Sequence, residues 1–195
     1  MNKKYYLPMI LILMSVEYIF PQSYKSSLIV ETVFLSTETH NVEIELGLIT
    51  KEYNEEKNLG GFSISYCGKI NLGSEYYIEF RPGILLAQNA YDGLQFGLLI
   101  RKEINQLFGF LGLNSNYNFN PSHGTFNNEN PEAYTYSFSI GGGIKISKLF
   151  GLLLSYNRLF DNYFGSGQTT DLISKSTGYQ KYLHYFVKVG VELNL

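Results

Sequence analysis

The last fifteen residues, Lys181 to Leu195, alternate with a period of two. Leu183, Tyr185, Val187, Val189, Val191, Leu193 and Leu195 are apolar or aromatic, while His184, Lys188, Gly190, Glu192 and Asn194 stand between them. Residues two apart share one face of an extended chain, so this segment is a strand with two unlike faces. A lone amphipathic strand is not stable. The rest of the chain must supply partners that continue both faces.

Seven upstream segments repeat the pattern, at 41–50, 61–72, 75–88, 93–104, 107–119, 134–147 and 150–160, with 181–195 as the eighth. Their apolar face runs through Val42, Ile44, Leu46 and Leu48, then Phe62, Ile64 and Tyr66, then Tyr76, Ile78 and Phe80. It continues through Leu94 to Ile100, Leu107 to Tyr117, Tyr134 to Ile146 and Phe150 to Tyr156. The opposite face holds Glu43, Glu45, Glu79, Glu103 and Glu192 against Lys69, Arg81, Arg101, Lys145 and Lys188, with Ser, Asn and Gly between them. Connections 73–74, 105–106 and 148–149 are short; 51–60, 89–92, 120–133 and 162–180 are mostly long and rich in Asn, Gly, Ser and Tyr. An even strand number puts both chain ends on the short-turn side.

A chain of 195 residues suits one domain. Its 45% apolar content coexists with a mean hydropathy near zero because polar residues are interleaved with apolar ones. Seventeen Tyr and fourteen Phe without a Trp are a heavy aromatic load, and a membrane interface is where amphipathic Tyr rings are favourable. The single Cys67 excludes an intrachain disulfide, and no cysteine lies near the end of the N-terminal apolar stretch to carry a lipid anchor. A formal charge of -2 without a basic cluster argues against nucleic acid as a partner.

At the amino-terminus, Lys3 and Lys4 precede an apolar run from Tyr5 to Phe20, followed by Pro21, Gln22 and Ser23. This is the layout of a secretory signal peptide over residues 1–23. Residues 24–40 include the β-branched stretch Leu28 to Ser36 and fit a periplasmic lead-in, part of a longer first strand or a further strand.

With a signal-like start, eight alternating segments and a carboxy-terminal strand Val-Lys-Val-Gly-Val-Glu-Leu-Asn-Leu195, the chain resembles the small outer-membrane barrels of the OmpA/OmpX type. The resemblance implies an all-β, eight-stranded antiparallel up-and-down transmembrane β-barrel over 41–195, in a Gram-negative outer membrane. Short turns would lie in the periplasm and long loops outside. It also implies outer-membrane lipid as surroundings and a last strand read by the β-barrel assembly machinery; that family usually ends in Phe, whereas this chain ends in Leu195. Tyr117, Phe119, Tyr134, Tyr136, Tyr156 and Tyr185 would form the outer aromatic girdle, and Tyr76 and Phe150 the inner one. Lys102 interrupts the apolar face at a periplasmic strand end, where its ammonium can reach water.

The rival architecture is a soluble lipocalin-like ligand carrier, which turns its apolar face inward. The larger, more uniformly apolar face and the Gly- and Ser-rich charged face favour the membrane barrel. Gly141-Gly142-Gly143 lies inside an alternating strand, so it reads as curvature or room for a ring rather than a phosphate loop. Pro82-Gly83 implies a bulge or bend. His40, His123 and His184 have no metal-ligand spacing, and no cofactor is implied. Outer-membrane palmitoyltransferases and lipid A deacylases use this scaffold with a His and Ser set near the rim. Here Ser122 and His123 are adjacent in a loop, and no nucleophile, base and acid form a set. No catalytic, cofactor-binding or metal-binding residue is therefore assigned, and the expected protein is not an enzyme.

Inside the barrel, Glu43 and Glu45 are expected to flank Lys188 and Lys69, with Glu79 and Arg81 beside Arg101 and Glu103. Such charges plug a small barrel; the alternative is a narrow polar pore. A structural or adhesive role would then fall to loops 120–133 and 162–180, where Tyr163, Phe164 and Tyr179 could meet an extracellular ligand or surface.

Overall fold

In the computed structural model the described residues are 24–45, 48–87, 91–119, 134–161, 163–170 and 175–195. They form β1 (Tyr24–Glu45), β2 (Leu48–Gly73), β3 (Tyr76–Ala87), β4 (Tyr91–Ile104), β5 (Leu107–Asn118), β6 (Tyr134–Lys145), β7 (Phe150–Leu159), β8 (Tyr163–Thr170) and β9 (Lys175–Asn194). Each strand from β1 to β6 pairs antiparallel with the next, β7 pairs with β9, and β9 returns to β1. The sheet is a closed eight-stranded barrel, with β8 attached only to β9.

The register itself gives the tilt. A row of paired residues starting at Tyr24 passes through Ile70, Ile78, Ile100, Leu111, Ile140, Tyr156 and Val187 and returns to β1 at Phe34, ten residues further on. A stagger of that size round eight strands inclines them about 35–45° to the barrel axis. Every residue in this row points outward. Ile100, Leu111, Ile140 and Phe34 are each about half exposed, at 53%, 50%, 51% and 54%. So continuous an apolar belt has no place in water, which rules out the inward-facing arrangement of a soluble carrier.

Turn chemistry fixes the short-turn end. Gly73, Ser74 and Glu75 take φ values of 97°, 48° and 71°, and Asn105 takes 56°, the positive-φ geometry that two-residue hairpins need. The Asn71 side chain accepts from the Gly73 N–H and steadies the first of these turns. Both girdles form as expected. Tyr117 lies 4.9 Å from Tyr134 between ring centroids and Tyr156 lies 5.5 Å from Tyr185, while the Lys102 ammonium sits 5.0 Å from the Tyr76 ring at the other rim.

Four expectations change. The barrel begins at Tyr24 rather than at residue 41, because 24–40 is most of β1 and pairs on both sides. Segments 41–50 and 51–60 are one hairpin, the far ends of β1 and β2. Along 28–35 the inward residues Ile29, Val33 and Leu35 are as apolar as the outward Leu28, Val30 and Phe34, so alternation conceals the strand. Second, 162–180 holds β8 and the start of β9 rather than a plain loop. Third, Pro82-Gly83 causes no register shift: pairing to β2 lapses at Tyr66 and Cys67, where proline has no N–H to give, and resumes in the same register. Fourth, Leu183 faces the lumen at 2% exposure rather than lipid, because a bulge at His184 reverses the alternation above it.

The expected signal peptide, residues 1–23, lies outside the described residues. So do loop 120–133 and its Ser122 and His123.

Candidate functional site

Inward-facing residues fill the lumen in layers. At the periplasmic end, Lys25, Lys145, Lys148, Glu103 and Leu195 surround an open recess of about 770 Å³. Above it lies a branched ion-pair network centred on Arg101, which is fully buried. Arg101 contacts Glu79 and Glu192 at 2.9 Å each and Glu103 at 3.0 Å. Glu79 also accepts from Arg81 at 2.6 Å, Glu192 from Lys69 and from the Ser27 hydroxyl, and Glu103 from Lys145 at 2.5 Å. These charges belong to five different strands, and Ser27 adds a sixth, so the network ties the barrel across its interior.

Two phenyl rings complete this layer. The Arg101 guanidinium lies 3.6 Å from the Phe108 ring centroid, and that of Arg81 lies 4.2 Å from Phe110. Across β6, Gly141 and Gly143 make the space: a Cβ at either would come within 2.4 Å of the Phe110 or Phe108 ring. The glycine run therefore gives room for rings, as its position inside a strand implied. Arg101 Nε, left without a hydrogen-bond partner, is part of the guanidinium stacked on Phe108.

A second charged layer follows. Lys188 lies 3.4 Å from Glu31 and donates to Gln95 at 2.6 Å; Ser63 donates to Glu31 at 2.7 Å, and Gln95 to Ser65 at 2.5 Å. The free space among these residues is about 10 Å³, room for a single water at most. Glu31 thus occupies the place expected for Glu43 and Glu45, which instead pair with Thr177 and Lys175 far up β9. Glu79, Arg81, Arg101, Glu103, Lys69, Lys145, Lys188 and Glu192 all face inward as expected. The interior then sets Glu31, Glu79, Glu103 and Glu192 against five cations.

Toward the extracellular end, Val33, Leu35, Leu85, Ala87, Leu159, Leu183 and Phe186 pack as one buried cluster inside the barrel. Neither it nor the Phe pair follows from alternation, because in segments such as Leu107-Phe-Gly-Phe-Leu111 both faces read as apolar. The lumen is therefore closed by apolar packing as well as by charge.

Cys67, Glu79 and Glu192 bring potential metal ligand atoms within 4.8 Å of one another. Both carboxylates are already taken by Arg101, Arg81 and Lys69, which occupy the space a cation would need. The trio belongs to the ion-pair network.

Beyond the rim, β2 loses its β3 partner past Phe62, and its residues 48–61 pair with β1 alone. Residues 37–45 of β1 pair with the start of β9, which pairs in turn with β8. A four-stranded wing in the order β2-β1-β9-β8 thus stands above one side of the barrel. Its β2 strand runs about 40 Å at ~3.3 Å per residue. At its base the two described histidines join one chain of contacts: His40 to Asn54 at 2.6 Å, Asn54 to Glu38 at 2.7 Å, and Glu38 to His184 at 2.9 Å.

An apolar belt between aromatic girdles, a filled charged lumen, short turns at one rim and a strand extension at the other define a small outer-membrane β-barrel. No protein-family model and no curated protein matches the chain. Among solved structures it is similar to the outer membrane protein OprG from Pseudomonas aeruginosa, at 11% identity over 89% of this chain and 97% of that one, with a TM-score of 0.46. It is similar also to Ail, the attachment invasion locus protein of Yersinia pestis, in complex with the heparin analogue sucrose octasulfate, at 16% identity, 88% and 99% coverage and a TM-score of 0.39. A third is the Escherichia coli outer membrane protease OmpT, at 8% identity, 90% and 97% coverage and a TM-score of 0.41.

Proposed function

We propose that this barrel is a sealed, non-enzymatic anchor that presents its extracellular wing to a ligand or surface outside the cell. The observation that carries this reading is the wing: β1, β2 and β9 continue as regular, paired strand well past the last rung of the barrel. Strand beyond the rim adds nothing to closing the sheet, so its use lies outside the membrane. Its β2 edge carries Lys51, Glu52, Glu55, Glu56 and Lys57, charges that discourage indiscriminate edge pairing. The interior offers no competing role as a pore, being filled from the Arg101 layer to the Phe186 cluster. The assembly machinery enters as the reader of β9, whose last residues also complete the seam with β1.

The enzyme alternative has one favourable observation, the half-buried His184–Glu38 pair at the outer rim. A base oriented by an acid still needs a nucleophile or an oxyanion site, and among the described residues neither accompanies the pair.

The test is removal of residues 42–51, the tip of the β1–β2 hairpin, with a short turn in their place. The shortened protein is expected to keep its heat-modifiable migration in detergent gels while cells displaying it lose attachment to the host surfaces or matrix that wild-type cells bind. Equal attachment by both would overturn the wing's role.

A further inference from the structure

Among the described residues, two charges of unlike setting stand on the lipid-facing wall. Lys102, near the periplasmic rim, leans on the Tyr76 ring. Arg158, on β7 near the outer rim, is exposed and has no hydrogen bond or ion pair among the described residues. It points outward between Tyr156 and Phe160 and is paired in register with Phe138 on one side and Tyr185 on the other. An arginine set in aromatic wall at headgroup depth calls for an anion, and the planar guanidinium suits a phosphate with two parallel hydrogen bonds.

The wall beside it is dented. Ser115 is a small residue in a row of large ones, with Phe96 and Tyr136 as its register partners. Two hollows meet there. One, of about 300 Å³, is lined by Phe96, Leu113, Ser115, Tyr134, Tyr136 and Phe160; the other, of about 170 Å³, lies on the far side of Phe96 against Pro82 and Tyr117. Phe160, just past the end of β7 and two residues from Arg158, ends the larger hollow on the same face. Asp161, the acid at that end, has a partner of its own.

We propose that this face is a binding site for a phosphorylated, multiply acylated lipid of the outer leaflet, with its phosphate on Arg158 and acyl chains in the hollows flanking Phe96. The position selects the occupant. The site lies in the membrane-facing belt at the wing end of the barrel, where the neighbouring molecules are outer-leaflet lipids, and two adjoining hollows suit more than one chain.

Native mass spectrometry of the folded protein in detergent tests this with three probes: bisphosphorylated hexa-acyl lipid A, the same lipid stripped of phosphate, and phosphatidylglycerol. The wild type is expected to retain lipid A about tenfold more tightly than the stripped form, the worth of one charge-assisted hydrogen-bond pair. Arg158→Gln should abolish that preference and Arg158→Lys keep part of it. Ser115→Leu, which fills the hollow, should weaken retention of both forms and leave the phosphate preference in place. Both side chains face outward, and unchanged heat-modifiable migration verifies that each variant is folded. Equal retention of lipid A by wild type and Arg158→Gln would overturn the site. Phosphatidylglycerol held as tightly as lipid A through Arg158 would overturn the assignment to a multiply acylated lipid.

Discussion

Glu31 on β1 lies 3.4 Å from the Lys188 ammonium on β9, across the seam where the chain's first and last strands close the barrel. Both side chains are buried, so each is the other's principal counter-charge in the upper lumen. Removing one partner leaves a buried charge uncompensated, at a cost of about 3–5 kcal/mol, whereas replacing both by apolar residues of similar size can be near neutral. Lys188→Ala and Glu31→Ala should each lower the urea midpoint of unfolding in detergent or lipid, and Lys188→Met with Glu31→Leu should recover most of the loss. Glu45→Ala, in the wing, should leave the midpoint unchanged.

Gly143 and Phe108 are coupled by contact. A side chain at Gly143 meets the Phe108 ring and the Leu152 carbonyl oxygen, at 2.4 and 2.0 Å from its Cβ. Gly143→Ala should therefore destabilise the barrel by about 1–3 kcal/mol, the usual cost of overpacking. Phe108→Ala in that background should restore only part of it, because the carbonyl contact remains and Arg101 loses its ring. Unfolding midpoints of the two variants and their combination measure this.

Much of the architecture is written in local alternation, and the exceptions have local causes. From Phe62 to Leu159 the outward face is aliphatic or aromatic almost throughout, and Ser, Asn, Gly and charged residues at many inward positions mark the other face, although inward Leu85, Leu99, Phe108, Phe110 and Leu153 are apolar too. β1 escapes because its inward Ile29, Val33 and Leu35 match its outward face in polarity. At His184 a single extra residue inverts the alternation, and nothing in Tyr182-Leu-His-Tyr185 announces it. The lumen charges are legible one by one, but their partners depend on the ten-residue stagger round the ring. For that reason Glu31, rather than Glu45, meets Lys188.

Chemical cross-linking can check the seam. Val30 and Val191 are register partners on β1 and β9 and both face outward. With Cys67 replaced by Ala, cysteines at these two positions should bridge under mild oxidation, since directly paired residues lie about 4.5–5.5 Å apart between Cα atoms. The bridged protein should keep its folded gel mobility. Bridging of Val42→Cys to Val191→Cys instead would restore a barrel beginning at residue 41.

A sealed lumen is the claim on which the account turns, and single-channel recording in planar bilayers tests it most directly. The wild type should insert without producing open steps. Lys188→Ala should stay silent too, because the apolar cluster of Leu35, Leu85, Leu159, Leu183 and Phe186 still closes the outer end. Conductance should appear only when that cluster and the buried Arg101 layer are both breached as well, as in Lys188→Ala combined with Arg101→Ser, Leu35→Ser and Phe186→Ser. Steady open steps from the wild-type protein would contradict the account and make the charged interior a pore.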